Sequence, residues 1–165
     1  MLTQCALPTN QSVSQLAEPK VDIAKLDELL PTCARDIERA YGALGHTLGW
    51  RFMTGPRSTL HPLTDVALIT LNPGGTVQDA HQTGASYEPG SAYVHESWCG
   101  RAAGQAPLQQ QVQALVSELM VHRGEAGSVA DFLANRMLTA HFIPFRSPTF
   151  ATLHNTAESI AFARK

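Results

Sequence analysis

Cysteine, surplus positive charge and long apolar runs are all scarce in this chain, and each scarcity excludes something. Three cysteines stand among 165 residues, Cys5, Cys33 and Cys99. The number is odd and the gaps are wide, so no disulfide framework is implied. A four-cysteine zinc or iron–sulfur site cannot be built within one chain, and no metal or other cofactor is expected. The formal net charge is -2, without the basic excess of a strong non-specific nucleic-acid binder. Any DNA contact must therefore be local, with Arg51, Arg57, Arg101, Arg123, Arg136 and Arg146 as the candidate cations. The longest apolar runs, such as Val66 to Leu71, fall far short of a membrane span. Met1 to Leu7 have neither a basic start nor a long apolar stretch, so they do not read as a secretory signal. The expectation is a cytoplasmic protein with reduced thiols and no membrane partner.

What is present is a core. Hydrophobic residues make up 44% of the chain, as in soluble globular proteins, and the length suits one domain. Residues 1–20 hold Pro8, Asn10, Gln11, Ser12, Ser14 and Pro19 without periodicity and read as a flexible tail. Residues 21–165 read as a single α/β domain. Ile23, Leu26, Leu29 and Leu30 share a helical face until Pro31. A second helix is predicted from Thr32 as N-cap through Ile37, Tyr41 and Leu44, closed by Gly45 in a left-handed cap. Gly49 to Thr54 predicts a short edge strand. Val66 to Leu71 predicts a strand buried on both faces, as in a parallel sheet.

From Asn72 to Pro107 no clean period appears, and a loop of that length is often functional. Pro107 opens an amphipathic helix with Leu108, Val112, Leu115, Val116, Leu119 and Met120 on one side and glutamines on the other. Ser128 caps a short helix, Val129 to Arg136, with Asp131 three residues on. Met137 to Ile143 predicts a second buried strand, and a last helix places Phe150, Leu153, Ala157 and Ile160 on one face. Strands alternating with helices favour α/β architecture with a parallel sheet. Two central strands are few for an open sheet.

Three segments could carry chemistry. Leu71-Asn72-Pro73-Gly74-Gly75 follows a strand, and open α/β sheets bind ligands at the carboxyl ends of their strands. Asn72 has both a donor and an acceptor, and the glycines let backbone N–H groups approach a ligand. An ordinary strand-ending turn is the commoner outcome for such residues alone. His141 ends the second strand, before Phe142 and the turn Pro144 to Pro148. A histidine there can donate to a carbonyl or titrate near neutral pH, although a lone histidine is more often a hydrogen-bonded core residue. Arg146 suits a phosphate contact, or a local pair. Tyr87, Tyr93 and Trp98 in the loop offer faces for base stacking, or a small satellite core, with equal claim.

A β-run ending in Leu71-Asn72-Pro73-Gly74, then a glycine- and aromatic-rich loop, a helix, a second strand and Pro144-Phe145-Arg146-Ser147-Pro148 resembles the uracil-DNA glycosylase superfamily, in its single-strand-selective and mismatch-specific branches. The likeness covers roughly Trp50 to Lys165. It implies a three-layer α/β sandwich with a short central parallel sheet, and DNA, single-stranded or containing a damaged base, as partner. It implies that Asn72 positions the hydrolytic water. Leu71, Pro73, Gly74, Gly75, Tyr87, His141 and Phe142 would line the base pocket, and Arg146 and Ser147 would meet phosphate. His141 stands where the family places a base-recognising Asn, so the selected base is left open. Nothing after Phe150 matches the family's distal strands and His motif. His61-Pro62 falls in the wrong order, and His154-Asn155 falls in the predicted last helix. The fold is therefore expected to be incomplete at its C-terminal end.

Three functional readings follow. The first is hydrolysis of the N-glycosidic bond of a damaged or deaminated base. The second is a nucleotide- or DNA-binding module without catalysis. The third is a truncated fragment whose open sheet edge is covered by self-association into a homo-oligomer.

Overall fold

The computed structural model describes residues 23–61, 64, 66–77 and 83–165. The expected tail at residues 1–20 lies outside them. Five helices and two strands are present among the described residues, in a mixed α/β arrangement. No helix among them is long and apolar enough to cross a membrane.

The first helix, α1, runs unbroken over Ile23–Ala43 with Pro31 inside it, where two helices are predicted. Leu30 and Ile37, seven residues apart on one face, are both buried, whereas Pro31 is exposed. A proline inside a helix costs about 3 kcal/mol. Each buried aliphatic side chain contributes roughly 1.5–3 kcal/mol, so anchors on both sides of Pro31 offset that cost. Thr32, the predicted N-cap, instead donates its hydroxyl to Glu28 O at 2.8 Å. Gly45 is left-handed, with φ 72°, as predicted for a residue that closes the helix.

Strands β1 (Val66–Thr70) and β2 (Met137–His141) pair in parallel, with Thr70 opposite His141. The predicted edge strand at Gly49 to Thr54 runs antiparallel along the other side of β2, through bridges at Trp50–Phe145 and Met53–Ala140. Trp50, Arg51, Met53 and Thr54 are all buried.

Helices α3 (Pro107–Arg123) and α4 (Val129–Asn135) cover one face of the pair. Their core joins Val112, Val116, Met120, Phe132 and Leu133 to Met137, with Val66 and Leu68 against it. On the opposite face Leu30 of α1 packs with Met53 and Ala140. A third cluster joins Ile37, Trp50, Ile143, Phe145 and Leu153, flanked by Ile160 and Phe162 of the last helix, α5 (Thr156–Ala163).

Four further expectations are corrected. β1 is not buried on both faces: Ala67 is exposed, and Ile69 and Leu71 keep 53% and 47% of their surface. Helices cover the Val66–Leu68 face, while the Ala67–Ile69 face of β1 keeps much of its surface. The long loop contains a helical turn, α2 (Ala92–His95), capped by the Ser91 side chain, which accepts from Tyr93 N. In α3, Leu108 and Leu115 face out while Gln109 is fully buried. The last helix is two pieces, a 3-10 turn at Phe150–Thr152 and then α5, separated by Asn155 at φ 46°. His154 and Asn155 therefore precede α5. The cap expected at Ser128 is present, its hydroxyl accepting from Asp131 N at 3.0 Å.

Candidate functional site at the carboxyl ends of the two strands

Parallel pairing brings the Asn72 and His141 segments to one sheet edge, because Thr70 and His141 are in register and Asn72 lies two residues further on. The turns after the strands are laced together. Ser147 N donates to Pro73 O at 3.2 Å, and Ile143 N to Leu71 O at 2.8 Å. The Arg146 guanidinium donates to Gly74 O at 2.7 Å. Gly75 lets the Arg146 side chain pack closely: a Cβ on it would lie 3.3 Å from the Arg146 Cδ, and the side chain would have to shift by a few tenths of an ångström.

Asn72 is half-buried, and its amide orientation is fixed by what surrounds it. Its Nδ2 donates to Ser147 Oγ at 2.8 Å, Pro73 O at 3.1 Å and Phe145 O at 3.4 Å. Two of those partners are carbonyls, which accept and cannot donate. The third, Ser147 Oγ, donates its own proton to Thr149 O at 2.8 Å and so must accept from Asn72. The amide nitrogen therefore points inward. Oδ1 is left as an acceptor with no hydrogen bond to any described residue. Ser147 is buried and holds this turn, which turns it away from the phosphate contact expected of it.

His141 is buried, and its Nδ1 lies 2.7 Å from Thr70 Oγ1. Burial, with the Arg51 and Arg146 charges added, pushes its pKa down to about 3. The ring is therefore neutral at neutral pH.

Arg51 lies beside it and is itself buried. Its two terminal nitrogens bind the two carboxylate oxygens of Glu96, one pair at 2.8 Å. Trp98 Nε1 also donates to Glu96. Burial pushes the Glu96 carboxyl up, but the hydrogen bonds from Arg51 and Trp98 and the Arg51 and Arg146 charges outweigh it and hold the carboxyl below its ordinary value. The Gln109 amide, buried in the core, fixes this segment by donating to Ala92 O at 2.8 Å and Glu96 O at 2.7 Å. The Arg51 guanidinium lies 5.5 Å from the centroid of the half-buried Tyr87 ring.

The other loop aromatics are core. Tyr93 is buried and meets Trp98 edge-on at 5.5 Å. Leu71 and Phe142 are exposed, and strand alternation turns both to the face opposite His141. The expected base-contacting set is thus split: Tyr87 and His141 share Arg51 as a neighbour, Asn72 leaves the same sheet edge two residues beyond the partner of His141, and Leu71 and Phe142 lie on the opposite face. Arg51 was visible in sequence as a scattered cation. Glu96, Gln109 and Thr70 carried no signal there, since partners 45 residues apart, as Arg51 and Glu96 are, leave no local period.

Two clefts lie elsewhere. One of about 450 Å³ is lined by Leu30, Pro31, Ala34, Arg57, Leu60 and Glu88. A second of about 260 Å³ is lined by Thr59, His61, Val66 and Leu138 among others. Neither is lined by Asn72 or His141. Among the described residues no cluster of His, Cys, Asp or Glu is placed to hold a metal ion.

The class that fold and site define is a mixed α/β protein whose two parallel strands end in an amide acceptor and a neutral histidine, with a charge-paired arginine supplied by the antiparallel segment beside them. No protein-family model, no curated protein and no solved structure matches the chain.

Proposed function

We propose that this edge binds a nucleobase of DNA in the manner of a uracil-DNA glycosylase, and that the chain hydrolyses the N-glycosidic bond of a damaged or deaminated base. The observation that carries this reading is the inward-locked Asn72 amide, which leaves Oδ1 as an acceptor at the strand end. Such an acceptor suits a water that must be oriented before it attacks the sugar carbon. The base must first leave the stack, because the bond is otherwise out of reach. The sugar then gains oxocarbenium character while the base departs as an anion, so the reaction needs a held water and groups that stabilise that anion. In this reading Tyr87 stacks on the base and His141 lies at its edge. The Arg146 guanidinium adds positive potential, and the finer uracil-DNA glycosylase-like fold belongs to the same proposal.

The test is base release from single- and double-stranded oligonucleotides carrying uracil or another damaged base, with Asn72→Ala as the comparison. Release by the wild type that disappears in the variant, with the variant still folded, is the expected result. Equal release by both proteins removes Asn72 from the mechanism.

A second reading is favoured by one observation: His141 is neutral at neutral pH and so brings no positive charge to a departing base. On that reading the edge binds a base or nucleotide without turnover. Affinity for a uracil-containing single strand with no release under any condition selects it.

A further inference from the structure

Tyr87, in the proposed base-binding set, has its ring backed by the Arg51–Glu96 ion pair. Its backbone N–H donates to Gly55 O at 2.9 Å, which anchors the main chain. Its ring lies against Arg51, whose guanidinium is 5.5 Å from the centroid, within the range of a cation–π contact. The guanidinium is held in a fork by both Glu96 oxygens, with side-chain exposures of 5% for Arg51 and 13% for Glu96. Glu96 is held in turn by Trp98 at its carboxylate and by Gln109 at its carbonyl. Among the described residues no second ring meets Tyr87, and its hydroxyl makes no hydrogen bond.

We propose that Glu96 and Arg51 are positioning residues that fix the Tyr87 ring so that its other face receives a planar base, neutral or anionic in preference to cationic. This rests on the base-binding reading above and deepens it. A bidentate carboxylate fork removes the freedom of the guanidinium, and a guanidinium held over the ring, 5.5 Å from its centroid, restrains the ring it faces. The cation behind the ring draws π density toward itself, which leaves the ligand-facing side poorer in electrons. A neutral or negatively charged ring gains from that, and a positively charged ring loses. Arg146, whose charge acts on both Glu96 and His141, works in the same direction.

The experiment has two arms. The first needs no ligand: ring resonances of 13C-labelled tyrosine are compared in the wild type, in Arg51→Lys and in the double variant Arg51→Met/Glu96→Leu. The double variant replaces the whole pair with apolar groups and so keeps the fold where a single loss strands a buried charge. The Tyr87 ring signal is expected to shift and broaden in the double variant and to move less in Arg51→Lys. A signal unmoved in a folded double variant overturns the positioning role.

The second arm titrates each protein with single-stranded oligonucleotides carrying 2-aminopurine, read by fluorescence, or N7-methylguanine, read by competition. Expected are at least tenfold weaker 2-aminopurine binding by the double variant and by Tyr87→Ala, and at least tenfold weaker wild-type binding of the cationic N7-methylguanine. Equal affinities in these comparisons overturn the ligand preference. Ring shifts that move while the wild type binds no oligonucleotide uphold the positioning role and overturn the base-binding reading.

Discussion

Two histidines are buried among the described residues, and their surroundings differ. His141, at the sheet edge, sits among charges: Arg51, Glu96 and Arg146 all act in its neighbourhood. His46, after α1, sits among rings. It stacks on Phe145 with centroids 4.1 Å apart, meets His154 edge-on at 5.9 Å, and its Nε2 lies 3.0 Å from Ser159 Oγ. Burial and the His154 charge also lower the pKa of His46, yet no arginine or carboxylate is paired there among the described residues. The His46 joint is explained by packing alone, since it docks α5 against the core through Phe145 and Phe162. The edge is not explained that way. An apolar set would close the space around the two strand ends without a buried ion pair, which is rarely worth its desolvation as a source of stability. That contrast is the reason for placing function at the edge.

The comparison can be broken most forcefully at the ion pair. Glu96→Ala strands the buried Arg51 charge and is expected to lower the unfolding free energy by about 3–5 kcal/mol in urea titrations. A cost under ~1 kcal/mol would place the pair in solvent and erase the distinction between the two regions.

The pH dependence comes next. His141 is neutral in the folded protein down to about 3 but takes up a proton on unfolding below its ordinary value. The unfolded state therefore binds more protons in that window, and stability falls as pH falls, by roughly 1.4 kcal/mol per pH unit for this group. Glu96, held below its ordinary value, adds a loss of the same sign at the acid end. A folded His141→Gln variant should show a shallower acid slope than the wild type.

Smaller effects sharpen the contrast. Asn72→Ala removes the donor shared by Ser147, Pro73 and Phe145 and should cost about 1–3 kcal/mol, with any base release lost beyond what that destabilisation accounts for. His46→Phe keeps the stack on Phe145 and loses one hydrogen bond. Ser159 Oγ still reaches His154 O at 3.3 Å. The expected cost is about 0.5–1.5 kcal/mol, with edge binding unchanged.

The parts of this fold that were legible in the sequence are those with local causes. The β-prone run before Asn72, the strand before His141, the proline that opens α3 and the Ser128 cap each declare themselves within a few residues. The meeting of Asn72 and His141 followed from parallel pairing alone. What was not legible depends on distant contacts. α1 continues through Pro31 because Leu30 and Ile37 find core on both sides of it. Gln109 lies on the supposed polar face of α3 and is buried because backbone carbonyls of the α2 segment accept its amide. The last helix breaks at Asn155, whose side chain donates to Leu44 O at 2.8 Å, a partner far off in sequence. Leu71 and Phe142, apolar and next to the motifs, read as pocket lining but turn to the opposite face.

The most direct test of the central claim is a titration of the labelled protein with a uracil-containing single-stranded oligonucleotide, followed by NMR at the Asn72 side-chain amide and at the Tyr87, His141 and His46 rings. The account predicts that Asn72, Tyr87 and His141 shift together and saturate at one concentration while His46 stays still. Shifts confined to exposed arginines far from the edge, or none at the three edge residues, would contradict it.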